Sequence, residues 1–254
     1  MLLIECAGIP GSGKSHIADL LRARLDASRI PYVDIAQFLL TARTSEALPY
    51  RRRKIDLRSK EADVLLKSFR HFLLAEPDYT LKYLHAVIEL ETSTSVRDLI
   101  LSSFNYCCAQ RGFFLTRRDR VNVRLVIHEE GLTHRLFTLF GYRFGDPRDE
   151  RILAELAGSM PPPHILIWPR CSAAIAIERL GRRDRKTPDR LAEMSSQEAT
   201  EILTSADRKL EMAARILRSR GTRIAEVRTD EDFDPAVFFG ALFSDVSDPN
   251  MSPC

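Results

Sequence analysis

The sequence predicts an α/β fold, a parallel sheet covered by helices on both faces. Three observations predict it. Short apolar runs recur along the chain, and each is followed by a stretch with apolar residues at helical spacing. The first run passes through a glycine-rich turn straight into an amphipathic stretch. The 254 residues, 44% of them hydrophobic, suffice for one large domain or for a core domain carrying an insertion.

Taken in order, Leu2–Ala7 is an apolar run that ends at Gly8, as a buried strand does. In Lys14–Ser28, Ile17, Ala18, Leu20, Leu21 and Leu25 make one apolar helix face. Pro31–Ile35 reads as a second short strand. From about residue 36 to 120 no strand is expected. Val64–Leu74, Leu81–Leu90 and Val96–Leu115 instead fit helices, so this stretch reads as a helical insertion between the second and third strands. Val121–Ile127 alternates and then becomes fully apolar, the pattern of a third strand, and Gly131–Phe140 is helical. Pro161, Pro162 and Pro163 form a stiff spacer leading into a fourth strand, His164–Trp168. Ser172 is placed to cap a helix over Ala173–Leu180, and Gly181–Arg190 is a charged loop. Ser195–Arg218 is a long helix with Gly221 just past its end. Arg223–Val227 is the fifth strand and Pro235–Phe243 the last helix, followed by a loose polar tail.

Bulk properties exclude some classes. A net charge of +3 disfavours a nucleic-acid binder, which calls for a broad basic stripe. Five cysteines, Cys6, Cys107, Cys108, Cys171 and Cys254, show no CxxC spacing, which suggests reduced thiols and a cytoplasmic protein. No run approaches the ~18 apolar residues of a membrane span, and Met1–Ala7 is too short for one or for a signal peptide. His128, Glu129 and His134 miss the HExxH spacing of a zinc protease by two residues.

The strongest signal is Gly8–Ser15, GIPGSGKS, which satisfies G-x-x-x-x-G-K-[ST] between an apolar strand and an amphipathic helix. The glycines let the backbone wrap a polyphosphate with its N–H groups inward. Lys14 reaches the outer phosphates, the Ser15 hydroxyl serves magnesium, and the helix adds the positive end of its dipole. The cradle so read comprises Gly8, Gly11, Ser12, Gly13, Lys14, Ser15 and His16. A second signal is the arginine-dense segment Ile177–Arg190, with Arg179, Arg182, Arg183 and Arg185. Planar guanidinium groups clamp phosphate oxygens and stabilise charge spread over a transferring phosphoryl group. A flap carrying them also excludes water. A solvated helix end is the plainer alternative. The third signal is RLVIHEEG, Arg124–Gly131, a strand ending in acids. Glu129 is read as the first acid of the site, serving magnesium with Ser15, and Glu130 as its neighbour; adjacent strand-end residues point in opposite directions, so both need not face the site. The plainer alternative is that both only charge the start of the following helix.

The loop GIPGSGKS, the strand HILIW and the segment AIAIERLGRRDR together resemble the P-loop nucleoside and nucleotide kinases, thymidylate kinase and the deoxynucleoside kinases in layout. The resemblance covers roughly residues 1–40, 121–190 and 222–243. It implies a three-layer α/β/α sandwich with five parallel strands in the order 2-3-1-4-5, ATP with Mg2+, and a LID over about 179–191. It also implies that Asp34, ending the second strand, contacts the acceptor hydroxyl as base or orienting group; an N-cap for a helix starting near residue 36 is the plainer alternative. Arg228–Asp232 would pack beside the adenine. The third strand departs from the family pattern: no arginine follows the acid directly, and Arg135 comes later.

The chain is accordingly read as a single P-loop kinase domain, residues 1–254, with an acceptor-binding insertion over about 36–120. That insertion carries Arg51–Lys54, Arg58, Lys60, Lys67, Arg70, His71, Tyr79, Tyr83, Phe104 and Tyr106, cations and aromatics suited to a ring-bearing or phosphorylated acceptor. Each is equally a helix-core or surface residue. Arg117, Arg118 and Arg120 lie just before the third strand. Helices flanking the insertion would serve a homodimer. The rivals are a P-loop NTPase that couples hydrolysis to a partner protein, disfavoured because no NKxD guanine signature occurs, and a kinase acting on a non-nucleotide metabolite.

Overall fold

The computed structural model describes residues 2–35, 60–91, 93–117, 125–141, 143, 146–182 and 189–243. Its strands are β1 (Leu2–Cys6), β2 (Tyr32–Asp34), β3 (Leu125–His128), β4 (Ile165–Arg170) and β5 (Arg223–Arg228). They form one five-stranded parallel sheet in the order β2-β3-β1-β4-β5, the order the family resemblance implies. The helices are α1 (Lys14–Ala27), α2 (Lys60–Ala75), α3 (Pro77–Leu90), α4 (Thr94–Arg117), α5 (Leu132–Phe140), α6 (Pro147–Ser159), α7 (Ala173–Gly181), α8 (Asp189–Ala192), α9 (Ser196–Ser219) and α10 (Pro235–Phe243).

Successive strand residues face opposite sides of the sheet, and the sequence supplies apolar residues to both. On one face Ile4 and Cys6 meet Ile17, Ala18, Leu21 and Leu25 of α1 and Phe239, Leu242 and Phe243 of α10. Each such aliphatic or aromatic side chain contributes about 1.5–3 kcal/mol when fully buried. On the other face Leu166 and Trp168 pack beneath the helices of the insertion and α5, α6, α7 and α9. Leu3 and Val126 lie under Phe114 of α4. The sheet is thereby fixed with the carboxyl ends of β1, β2 and β3 side by side. Glu5 stands beside His128, and Asp34 beside Ile127.

The described part of the insertion is the three helices α2, α3 and α4. Tyr79, Tyr83 and Phe104, candidates for an acceptor ring, are buried together at its centre. Tyr83 and Phe104 stack with centroids 3.8 Å apart, and Tyr79 sits 6.0 Å from Phe104. Their aromatic faces are used on one another, while Tyr106 is at the surface. The expected helix ends hold within a few residues. The capping box of Ser195 and Glu198 starts α9, and Gly221 follows its end with φ 92°. Helix α6 was not anticipated. Its signals are local: Asp146 accepts from the Arg148 amide as N-cap, Pro147 takes the first position, and Ile152, Leu153, Leu156 and Ala157 form the buried stripe.

Arg51–Lys54, Arg58, Arg118, Arg120, residues 121–124, Arg183, Arg185, Lys186 and Cys254 lie outside the described residues, as do the side chains of Lys60 and Arg117. The other four cysteines are free and buried. Among the described residues no helix is long and apolar enough to cross a membrane.

Candidate functional site

The loop after β1 turns tightly because its glycines permit it. Gly11 and Gly13 adopt φ of 84° and 88°, a region that side chains with a Cβ rarely enter. A Cβ on Gly11 would lie 2.3 Å from the Ala176 carbonyl oxygen, and one on Gly8 would lie 2.6 Å from Ser12 Oγ. Ser12 N–H donates to the Ile9 carbonyl at 3.1 Å and closes the turn. Lys14 Nζ reaches back across the loop and donates to the carbonyls of Gly8 (2.8 Å) and Ile9 (3.0 Å). Thr229, just past β5, donates through Oγ1 to the Ser12 carbonyl at 2.9 Å and ties the loop to the far strand.

These residues fit a polyphosphate. Helix α1 begins at Gly13 with no side-chain cap, so no side chain satisfies its first-turn amides. Ser12 Oγ is buried without a hydrogen-bond partner at the centre of the loop. Ser15 and His16 are exposed at the start of α1. The donors for a cation are oxygens, the Ser15 hydroxyl and the Glu129 carboxylate, as magnesium prefers. Among the described residues no group of three or more His, Cys, Asp or Glu could hold a metal alone.

The acids at the ends of β2 and β3 come together on one guanidinium. Arg22 Nη2 donates to Asp34 Oδ2 at 2.7 Å and to Glu129 Oε2 at 3.1 Å, while its Nη1 bonds Asp19 at 2.7 Å. Carboxylate bonds raise the Arg22 pKa against the opposing effect of burial, so it stays charged. Glu130 turns away and pairs with Arg135 at 3.3 Å. Both glutamates stand in the turn just past β3, and the turn sends their side chains to different partners. Arg22 was not singled out in the sequence, where it reads as one more charge on an exposed helix face.

On the other side of the loop, Arg179 is held by Thr229, donating to its hydroxyl at 2.9 Å and to its carbonyl at 2.6 Å. Arg182 is exposed and pairs with Glu178 at 2.5 Å, one helical turn back. Arg183 lies outside the described residues. A cleft of about 510 Å3 opens between Gly11, Gly13 and His16 on one wall and Arg179, Thr229, Glu231, Asp232 and Phe233 on the other. The loop following β5 thus borders the phosphate loop. Asp230 anchors it by accepting the Ser172 amide at 2.8 Å.

A buried polar layer underlies the site, and only an acid inside an apolar strand hinted at it. Glu5 is fully buried, accepts the Thr133 amide at 3.0 Å and lies 4.0 Å from Arg111. Its carboxylate lies against Gly131, where a Cβ would be 2.2 Å from Glu5 Cδ. His128 Nε2 is 3.0 Å from Gln110 Oε1. Burial pushes the His128 and His134 imidazoles well below their ordinary range. The cations Arg111 and Arg135 near His128, and Lys14 and Arg135 near His134, push the same way. Burial likewise pushes the Cys6 thiol, beneath Glu129, up to about 12, so it stays protonated and inert.

No family model matches this chain, and no curated protein does. Among solved structures it is similar to a deoxyadenosine kinase from M. mycoides with bound dATP. Identity is 14% over 96% of this chain and 99% of that one, with a TM-score of 0.47. It is also similar to the protein TT1252 from Thermus thermophilus, at 17% identity over 98% of each chain and a TM-score of 0.41. A third is shikimate kinase from Bacteroides thetaiotaomicron, at 11% identity over 96% of this chain and 98% of that one, with a TM-score of 0.39.

Proposed function

We propose that this chain is a magnesium- and ATP-dependent kinase that transfers the terminal phosphoryl group to a small molecule. The acceptor is a nucleoside, a nucleotide or another hydroxyl-bearing metabolite. One observation carries the reading. A phosphate loop closed by Lys14 and an acid pair, Asp34 and Glu129, stand at the same end of one parallel sheet.

In this reading the amides from Gly11 to Ser15 bind the phosphates, and Lys14 leaves its loop carbonyls for the outer phosphate oxygens. Ser15 and Glu129 hold the magnesium ion, which supplies screening of the phosphate charge when bound. Asp34 accepts a hydrogen bond from the acceptor hydroxyl and takes its proton as the oxygen attacks. Arg182 and Arg183, on a LID over about 179–191, close over the transferring group and exclude water. Arg179 stays with Thr229 and walls the cleft beside the purine. The insertion over about 36–120 selects the acceptor, all within one domain and in the cytoplasm.

The test is ATP consumption with magnesium against a panel of nucleosides, nucleoside monophosphates and sugars, with Lys14→Ala beside the wild type. Turnover that depends on one acceptor class and is lost in Lys14→Ala while the protein stays folded is expected. Steady hydrolysis indifferent to every acceptor would favour an NTPase coupled to a partner protein. Undiminished transfer in Lys14→Ala would refute the site.

A further inference from the structure

We propose that Arg22 is a positioning residue that holds the acceptor-side acid and the metal-side acid together, and that it gives up Glu129 but keeps Asp34 when the metal–nucleotide complex enters. This inference rests on the kinase reading above.

The geometry is specific. One nitrogen, Arg22 Nη2, lies within hydrogen-bond distance of both Asp34 Oδ2 and Glu129 Oε2. Two carboxylates, one ending β2 and one just past β3, therefore share a guanidinium nitrogen. The residue belongs to α1, two turns beyond Lys14, so the same helix that presents its first turn to the phosphates also spans the ends of β2 and β3. The side chain is only 23% exposed, and Asp34 and Glu129 are 15% and 29% exposed, so the charges act on one another with reduced screening. Asp19 steadies the other arm of the guanidinium. Each acid has a task that needs its negative charge, and a permanently charged arginine lets both carry it without mutual repulsion.

The two bonds are unequal, 2.7 Å to Asp34 and 3.1 Å to Glu129. A divalent cation served by Glu129 repels the guanidinium, and the longer contact is the one that yields. Arg22 then remains on Asp34 and fixes its orientation toward the acceptor. Arg22 and the metal thus compete for Glu129, while Arg22 and the acceptor cooperate through Asp34. Removing the arginine should move metal affinity and turnover in opposite directions, which loss of a merely structural ion pair would not do.

The experiment uses the full chain with Mn2+ as the metal and AMPPNP as the nucleotide, Mn2+ binding being read by electron paramagnetic resonance. Arg22→Gln is expected to bind Mn2+ in the nucleotide complex about ten-fold more tightly than wild type, the scale of one charge removed at close range. Its turnover, with the acceptor identified by the panel, should fall by about a hundred-fold through kcat, with the KM for ATP changed little. Arg22→Lys keeps the charge but has no second arm for Asp19 to hold, so its one nitrogen is placed less firmly between the two acids, and it should fall between in both readings. It also serves as the comparison if the glutamine variant folds poorly. Unchanged or weaker Mn2+ binding in both variants overturns the proposal, whatever the turnover does. Wild-type protein that fails to bind Mn2+ with AMPPNP would instead overturn the nucleotide reading on which it rests.

Discussion

The two left-handed glycines of the phosphate loop should fail in different ways when each is replaced by alanine. Both would force a Cβ into a backbone region that costs about 1–2 kcal/mol for an L side chain. For Gly13 that is nearly the whole structural cost, because the nearest atoms to the added carbon belong to the Thr229 side chain, at 3.5 Å, an ordinary contact. For Gly11 the carbon would stand 2.3 Å from the Ala176 carbonyl oxygen and 2.9 Å from its Cα, and that backbone belongs to α7. Relieving this overlap adds about 1–3 kcal/mol of overpacking. At about 2–4 °C per kcal/mol for a chain of this size, Gly13→Ala should lower the melting temperature by a few degrees and Gly11→Ala by roughly twice as much or more. Affinity for the ATP analogue AMPPNP should fall in both variants, since both glycines line the cleft. Gly13 borders the cleft directly before Lys14, so its new methyl crowds the phosphates and costs at least about a hundred-fold in binding while the fold survives. Calorimetry for binding and a thermal melt for stability check both. Gly13→Ala binding AMPPNP like wild type, or the two variants melting together, would refute this account of the loop.

Other consequences are as direct. Gly131→Ala would drive a carbon to 2.2 Å from the buried Glu5 carboxylate and should destabilise the chain by at least about 1–3 kcal/mol, seen in a chemical denaturation midpoint; a neutral effect would mean that Glu5 does not sit against the β3 turn. The buried histidines set a pH dependence. Burial holds the folded pKa values of His128 and His134 well below the ordinary imidazole range, so the unfolded chain takes up protons first as pH falls. Their contribution is intact above pH about 6.5 and is lost below it at up to about 1.4 kcal/mol per pH unit per histidine. Melts from pH 7.5 to 5 should therefore fall more steeply for wild type than for His128→Gln, and parallel curves would contradict it. Asp149 is fully buried between Arg143 at 2.9 Å and Lys209 at 3.5 Å, so Asp149→Ala, which strands both cations, should cost about 3–5 kcal/mol in denaturant unfolding. A cost below 1 kcal/mol would mean that the Asp149 pairings are not needed to hold α6 and α9 against α5.

The features legible in the sequence are those whose cause is local. The phosphate loop could be read because glycine spacing, a preceding apolar strand and a following helix all act within a few residues. The strand positions follow from apolar runs, but their order came only from family resemblance, since nothing in a run says which strand it pairs with. Strand alternation left either Glu129 or Glu130 able to face the site, and both fall in the turn after β3, whose path a sequence does not give. Arg22 was hidden because its partners lie 12 and 107 residues away, and on the helix it looks like any solvated charge. The fixing of Arg179 by Thr229 is equally nonlocal, 50 residues apart. Tyr79, Tyr83 and Phe104 carry the right chemistry for ligand stacking, and only three-dimensional packing reveals that they stack on each other. Two features were present in the sequence but not used. An acid at Glu5 inside an apolar strand marks the buried polar layer, and Asp146-Pro147 before an apolar stripe marks α6.

The most direct test of the central claim follows the label from ATP carrying a radioactive terminal phosphate, with magnesium and each acceptor class in turn. The account predicts that label appears on a small-molecule hydroxyl or phosphate, that it stays there while inorganic phosphate remains low, and that Lys14→Ala and Asp34→Asn both stop its appearance. Label released only as inorganic phosphate, at the same rate with every acceptor and in Asp34→Asn, would contradict it.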